Sequence, residues 1–188
     1  MNIFIDTTND DFYISLFSDD FVVYDYTHLV GYKKKVDLIA DQFENILKRN
    51  NLEIDQINCF YTNIGPGYFT GARSSLVFLK TLSVALNKPL FWITTFDFLM
   101  FQNDQEKLYV DAQGQKVFEF DTEKFWATKD YLSSVEIKDY SDDITLNKID
   151  YRAITQHFNF LKDKFKNAKN VLEIDALYIK QPQIGVRK

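Results

Sequence analysis

Three groups of residues have types and spacings that could do chemistry. Asn63-Ile64-Gly65-Pro66-Gly67-Tyr68-Phe69-Thr70-Gly71-Ala72-Arg73 packs three glycines and a proline between an apolar stretch, Ile57 to Tyr61, and a long apolar run, Ser74 to Asn87. Glycine-rich corners between strand and helix can present backbone N–H groups to a phosphate, but this spacing is neither G-x-G-x-x-G nor G-x-x-x-x-G-K-[ST]. On spacing alone it describes a corner in which Gly65 and Gly67 are free to take positive φ, Pro66 presets its own φ and Thr70 is the N-cap. Asp6-Thr7-Thr8 offers a carboxylate and two hydroxyls after a first apolar strand, a set able to hold phosphate and metal. The competing reading is a surface turn whose side chains cap their own backbone. His28 and His157 have no metal-binding spacing, and Cys59 is the only cysteine. A mononuclear metal site, a thiolate cluster and a disulfide framework are therefore not expected. No Gly-x-Ser-x-Gly elbow is present, and the glycines Gly31, Gly65, Gly67, Gly71, Gly114 and Gly185 leave the second half without a glycine-rich turn to accept an adenosine. Read this way, the chain has no catalytic residue and no metal site of its own.

The elements that must carry these residues follow from hydrophobic periodicity. Asn2 to Asp6, Phe12 to Phe17 and Phe21 to Tyr26 read as three short strands joined by polar turns, an antiparallel meander. Val36, Ile39, Ala40, Phe43, Ile46 and Leu47 then fall on one face of an amphipathic helix. Lys33-Lys34-Lys35 precedes it, at the wrong end for the helix dipole, and reads either as a solvated loop or as serving a partner or an acidic neighbour. A strand over 57–62, the glycine corner, a helix over 74–87 and a strand over 89–93 continue the alternation. A short helix over 94–101 with Thr95 as cap follows, and then a surface loop at 102–105. The order predicts a mixed sheet whose last strands run parallel to the first. Further on, strands are expected at 107–111, 116–120, 123–128, 171–172 and 177–179, with a helix from Tyr151 to Lys166. The helix after the glycine corner is apolar nearly all round, with Lys80 its only charge from Ser74 to Asn87, so one sheet cannot cover it. It should pack against a second helix, in this chain or another.

At 188 residues, 46% hydrophobic and 16% aromatic, the chain is long and apolar enough for one core or two small lobes. A net charge of −5 argues against direct, tight nucleic-acid binding, which depends on phosphate neutralisation. The N-terminus begins a strand at once, without the basic and apolar regions of a signal peptide, and no apolar run is long enough to span a bilayer. A cytoplasmic location and no membrane partner are the expectation. Cys59, in an apolar strand, is expected to be an inert thiol.

With these residues in place, Gly65-Pro66-Gly67-Tyr68-Phe69-Thr70-Gly71-Ala72-Arg73 resembles the Gly-Pro-Gly-Ser-Phe-Thr-Gly-x-Arg signature of the TsaB (YeaZ) family, departing at Tyr68. Ile3-Phe4-Ile5-Asp6-Thr7 is similar to the family's opening strand. Asp111-Ala112 with Val117-Phe118 looks like its Asp-Ala-Arg-x-x-x-Val-Tyr turn, and Leu177-Tyr178-Ile179-Lys180 is similar to its terminal Tyr-Leu-Arg. The resemblance implies an α/β, two-lobed fold of the actin and Hsp70 ATPase type with ribonuclease-H-like lobes, an N-terminal lobe over residues 1–95 and a reduced C-terminal lobe over 96–188. In that fold an Asp-Thr-Thr turn holds phosphate and metal, which makes Asp6, Thr7 and Thr8 the nucleotide candidates. It also implies a non-catalytic role in placing threonylcarbamoyl on tRNA adenosine, as a paralogue that dimerises with the catalytic TsaD through N-lobe helices. The assembly would include a TsaE-like ATPase, reach tRNA only through the complex, and leave a homodimer when the chain is alone. The partner interface would then be Arg73, Val77, Lys80, Thr81 and Val84, with neighbouring positions of the first helix. No cofactor is intrinsic on this reading, and ATP or ADP would sit at the subunit junction. Asn63-Ile64 for the family's Gly-Arg and Gln113 for its turn Arg remove cations from such a junction, and Lys180 stands for its final Arg. A different class of reading is an ATP-dependent small-molecule kinase or ATPase on the same fold, and a third is a glycopeptidase.

Overall fold

A computed structural model describes residues 1–32 and 34–179. Lys33 and Lys180, singled out above, lie outside the described residues. The first sheet carries β1 (Asn2–Asp6), β2 (Phe12–Phe17), β3 (Val23–Leu29), β4 (Cys59–Asn63), β5 (Leu90–Ile93) and β9 (Lys166–Asn167) in the order β3-β2-β1-β4-β5-β9. β1 pairs antiparallel with β2, placing Ile3 opposite Leu16, and parallel with β4, placing Ile3 opposite Phe60. β4 and β5 run parallel, as the alternation of helix and strand predicts. β1 and β2 are buried at every position, because both faces of the sheet are covered. β3, at the edge, alternates between half-buried and exposed over most of its length.

One face is covered by α1 (Lys35–Arg49) and α2 (Phe69–Leu86). Ile39, Phe43 and Ile46 from α1, and Ala72, Leu76 and Leu79 from α2, meet Ile3, Ile5, Ile14 and Phe60 of the sheet. The other face carries an aromatic core. Phe4 lies 5.7 Å from Phe98 and 5.9 Å from Phe158, and Phe17 lies 4.8 Å from Phe158. Such ring pairs add about 0.5–1.5 kcal/mol each beyond the area they bury.

This core runs on into a second, antiparallel sheet, β6 (Lys107–Asp111), β7 (Lys116–Asp121) and β8 (Val135–Asp139). The junction is α3 (Thr95–Gln102), whose Phe96 stacks 4.0 Å from Phe120 on β7. Two short α-helices, α4 (Thr122–Thr128) of seven residues and α5 (Tyr151–Gln156) of six, complete the α-helices of the described residues.

Several local expectations are corrected. Residues 122–128 form α4, not a strand: Asp121 accepts from Lys124 N at 2.8 Å as a helix N-cap, and Lys129 closes the helix in the left-handed region. The third strand of the small sheet is β8 instead. The helix expected from Tyr151 to Lys166 stops at Gln156, continues as a 3₁₀ segment over Phe158–Lys164, and ends in β9. Val171–Glu173 is a 3₁₀ turn, and residues 177–179 form no strand. α3 is capped by Thr94 rather than Thr95, in a reciprocal box with Asp97. α2 starts at Phe69, so Thr70 lies within its first turn and caps nothing, and the N-cap Tyr68 makes no side-chain cap bond. β3 begins at Val23, two residues later than expected. Lys35 is a buried residue of α1, not part of a solvated run. Cys59 is half-buried, and burial pushes its thiol up, which keeps it protonated.

Candidate functional site

Asp6 ends β1 and Thr7 and Thr8 follow it; all three are wholly buried, so the turn does not lie at the surface, while Asp6 does cap its own backbone at Thr8 N. The Asp6 carboxylate accepts from Thr8 N at 2.8 Å and Thr8 Oγ1 at 2.7 Å through one oxygen, and from Asn63 Nδ2 at 2.8 Å through the other. Asn63, at the end of β4, also donates to Thr8 Oγ1 at 3.0 Å and Thr95 Oγ1 at 3.1 Å, and its carbonyl accepts from Gly65 N at 2.8 Å. One side-chain amide thus ties together β1, β4, α3 and the glycine loop.

That loop lies directly on the Asp-Thr-Thr turn. Tyr68 N donates to Thr8 O at 2.6 Å, and Thr7 Oγ1 donates to Gly71 O at 2.6 Å. A Cβ at Gly67 would come within 2.8 Å of the Thr8 carbonyl carbon and closer still to its oxygen. Of the two glycines expected to use positive φ, only Gly65 does, at +101° next to a cis bond to Pro66. Gly67 is required for close approach instead. The hydroxyls and carboxylate of the turn are therefore already bonded within the chain.

Beside the turn, the Tyr68 hydroxyl donates to Asp10 Oδ1 at 2.6 Å and reaches Asp111 Oδ2 at 3.3 Å, bridging the β1–β2 turn and the end of β6. Burial, reinforced by the Asp10 carboxylate, pushes this phenol far up. Lys35 Nζ lies 5.2 Å from the Tyr68 ring centroid and has no hydrogen-bond partner. Burial pulls its pKa down, and the charges of Asp6, Asp10 and Asp11 act against that shift. Tyr151, from α5, is fully buried close by, and burial with the Asp6 charge holds its hydroxyl well above the usual phenol range.

The second feature is the outer face of α2. Arg73, Val77, Thr81 and Val84 form one exposed stripe, with Val77 54% and Val84 56% exposed. With Val36, Ile39 and Ala40 of α1 and Phe78 of α2, Val77 and Thr81 line a shallow apolar groove between the two helices. The structure does not place Lys80 in this stripe. Its ammonium turns to the flank, donates to Leu172 O at 3.1 Å and lies 3.8 Å from Asp175. Sequence reasoning had Asn63 only within the motif, Lys35 only within the lysine run, with an acidic neighbour as one reading that Asp6, Asp10 and Asp11 now supply, and Tyr151 only as the start of a helix. The only available signals were a polar residue ending an apolar strand and a lysine on the amphipathic face of α1 at the i−4 position from Ile39.

Among the described residues no three His, Cys, Asp or Glu side chains lie close enough to hold a metal ion, and no helix is long and apolar enough to cross a membrane. The mixed sheet backed by two helices, the second sheet and the Asp-Thr-Thr turn at the end of the first strand define an α/β protein of the actin and Hsp70 type, with the turn closed by the chain's own loop. A family model described as TsaD: tRNA N6-adenosine threonylcarbamoyltransferase matches residues 32–168, and the chain belongs to this family. A curated relative, the tRNA threonylcarbamoyladenosine biosynthesis protein TsaB of Buchnera aphidicola subsp. Baizongia pistaciae (strain Bp), is 35% identical over 51 residues. That match spans 27% of this chain and 23% of the relative, less than a quarter of its length. YeaZ from Pseudomonas aeruginosa superposes with a TM-score of 0.55 at 13% identity, over 78% of this chain and 70% of that one. An uncharacterised protein with similarity to peptidase YEAZ from Pseudomonas aeruginosa gives a TM-score of 0.63 at 10% identity, over 95% and 99%.

Proposed function

We propose that this chain is a non-catalytic partner subunit in the biosynthesis of threonylcarbamoyladenosine in tRNA, pairing with TsaD through the α1–α2 face. The observation that carries the reading is the exposed apolar stripe of α2, since Val77 and Val84 stand in water beside a groove that a second pair of helices would fill. The family match and the biosynthetic role in the name of the TsaB relative support the pathway. The filled Asp6–Thr8 turn supports a subunit that leaves the chemistry to its partner. On this reading tRNA is met through the complex, a TsaE-like ATPase joins the assembled pair, and the same face makes a homodimer when the chain is alone. ATP or ADP would bind at the subunit junction, where Lys35, Gln113 and the first turn of α2 border a recess.

The test is co-purification with TsaD of the same organism, comparing wild type with Val77→Asp and Val84→Asp. An unpaired carboxylate buried at such a contact costs about 3–5 kcal/mol, enough for a loss of more than 100-fold in affinity. Pairing by the wild type and none by folded variants is the expected result. Failure to pair, together with ATP turnover by the isolated chain that Asp6→Ala abolishes, would replace this reading with the kinase or ATPase one.

A further inference from the structure

The lysines of this chain fall into two kinds. Lys48, Lys107, Lys116 and Lys138 each stand at salt-bridge distance from a carboxylate. Around α4 and β9 that pattern breaks. Lys129 Nζ lies 4.0 Å and Lys164 Nζ 5.4 Å from the centroid of the Trp126 ring, and neither ammonium has a hydrogen bond or an ion pair among the described residues. Lys166 lies 4.3 Å from the Tyr131 ring and 5.1 Å from that of Trp92. Burial pulls Lys166 down, the Asp97 charge acts against that shift, and the positive charge of Lys164 adds to it. The two segments that carry these groups, 122–131 and 157–169, hold six lysines against three carboxylates in a chain whose net charge is −5.

The ring at the centre of this excess is open to water. Trp126 is 51% exposed, although indoles are mostly buried in folded chains. Its two cations are set by the ends of elements, Lys129 closing α4 and Lys164 ending the 3₁₀ segment. Attraction to an exposed ring is weak, and each ammonium still has three donors to offer. Positive charges gathered over an apolar surface draw an anion. An acidic peptide would match the lysines alone. A nucleotide unit matches both parts, bringing a phosphate for the ammonium groups and a flat base for the indole. In a duplex the bases stay stacked on one another, so an unpaired stretch fits better.

We propose that the Trp126–Lys129–Lys164 face is a contact for single-stranded RNA, which it holds by phosphates and by one base packed on the indole. On the function proposed above, from which this step takes only the identity of the RNA, that strand is an unpaired part of the tRNA, and the contact adds to whatever the partner subunit makes. A net negative chain makes this contact weak and salt-dependent.

The experiment is fluorescence anisotropy of a labelled 12-nucleotide oligouridylate titrated with the full chain at low salt, with a labelled 12-residue oligoaspartate in a second arm. Saturable binding of the RNA is expected, at least fivefold weaker in Trp126→Ala and largely restored in Trp126→Phe. Lys129→Asn with Lys164→Gln should weaken it at least tenfold and lower the slope of log affinity against log salt by about 1.4, two phosphates' worth for a single strand. Asparagine is chosen because Lys129 has a φ of +58°. Lys48→Gln with Lys116→Gln, which removes the same charge elsewhere, should change binding less than twofold. Each variant is read only after its unfolding midpoint matches wild type. No saturable RNA binding by wild type, equal binding by the folded patch variants, or oligoaspartate bound as tightly as the RNA would overturn the proposal, the last result assigning the face to an acidic protein. Co-purification with TsaD keeps the two readings apart: a chain that pairs but binds no RNA loses only this inference, and one that binds RNA here without pairing loses only the other.

Discussion

Replacing Gly71 by alanine sets two well-characterised effects against each other. In the first turn of an 18-residue helix, alanine is favoured over glycine by up to about 1 kcal/mol. Helix propensity alone therefore predicts a more stable protein. The structure opposes it, because a Cβ at Gly71 would lie 3.1 Å from the Thr7 carbonyl carbon and nearer still to its oxygen. That neighbour is backbone, wholly buried at the end of a central strand, and cannot rotate away. Overpacking of this kind costs about 1–3 kcal/mol. Parting the helix from the turn also loosens the Thr7 Oγ1 to Gly71 O and Tyr68 N to Thr8 O hydrogen bonds, at about 1 kcal/mol each. The net expectation is destabilisation by about 2–4 kcal/mol, read as a lower urea midpoint by far-UV circular dichroism at unchanged slope. Gly31→Ala is the comparison: nothing lies within 4 Å of its Cβ, so only the cost of φ +65° remains, about 1–2 kcal/mol. A Gly71→Ala protein as stable as wild type, or more so, would refute the close-packed reading of the loop.

Asn63→Ala should cost about 3 kcal/mol in the same assay, because it leaves a cavity and strips a donor from the buried Asp6 carboxylate. Thr94→Ala should cost about 1–2 kcal/mol, largely restored by Thr94→Ser, since the serine hydroxyl can still accept from Asp97 N. For Glu119, burial pushes the carboxyl up, but hydrogen bonds from Lys107 and Lys138 outweigh it and hold the pKa at about 2. A depressed folded-state value means a contribution complete above the unfolded value of 4.5 and lost as pH falls towards 2. Glu119→Gln should therefore destabilise by about 1–2 kcal/mol at pH 7, a figure discounted for the two half-exposed lysines, and by much less at pH 2.5. An equal loss at both values would show that the pair does not act through charge.

The order of the first five strands, both long helices and the exposed Arg73–Val77–Thr81–Val84 stripe were legible because they depend on local periodicity. What was misread depends on contacts distant in sequence or on close alternatives. Phe125 and Trp126 look like strand residues, yet the Asp121 cap turns the chain into a helix at once. Thr94 and Thr95 are adjacent cap residues, and only the reciprocal bond to Asp97 selects the first. Lys80 lies on the same helix as Val77, but a carbonyl 92 residues away draws it to the flank. The same holds for the site. The glycine motif was visible, but nothing in its spacing reveals that Gly67 and Gly71 fit against Thr8 and Thr7, because that contact joins residues about 60 positions apart.

The pairing of Phe91 with Asn167 and Trp92 with Lys166 makes the small sheet an insertion between β5 and the strand that closes the first sheet. Phe4, on β1, waits for Phe158 and Phe165 to cover it at 5.9 and 6.0 Å. The sheet can assemble its first five strands early with Phe98 of α3 over part of this face, but the rest stays open until residues 158–167 have left the ribosome. Nascent chains stalled before that point should carry an open aromatic surface that chaperones recognise, and those stalled after it should not.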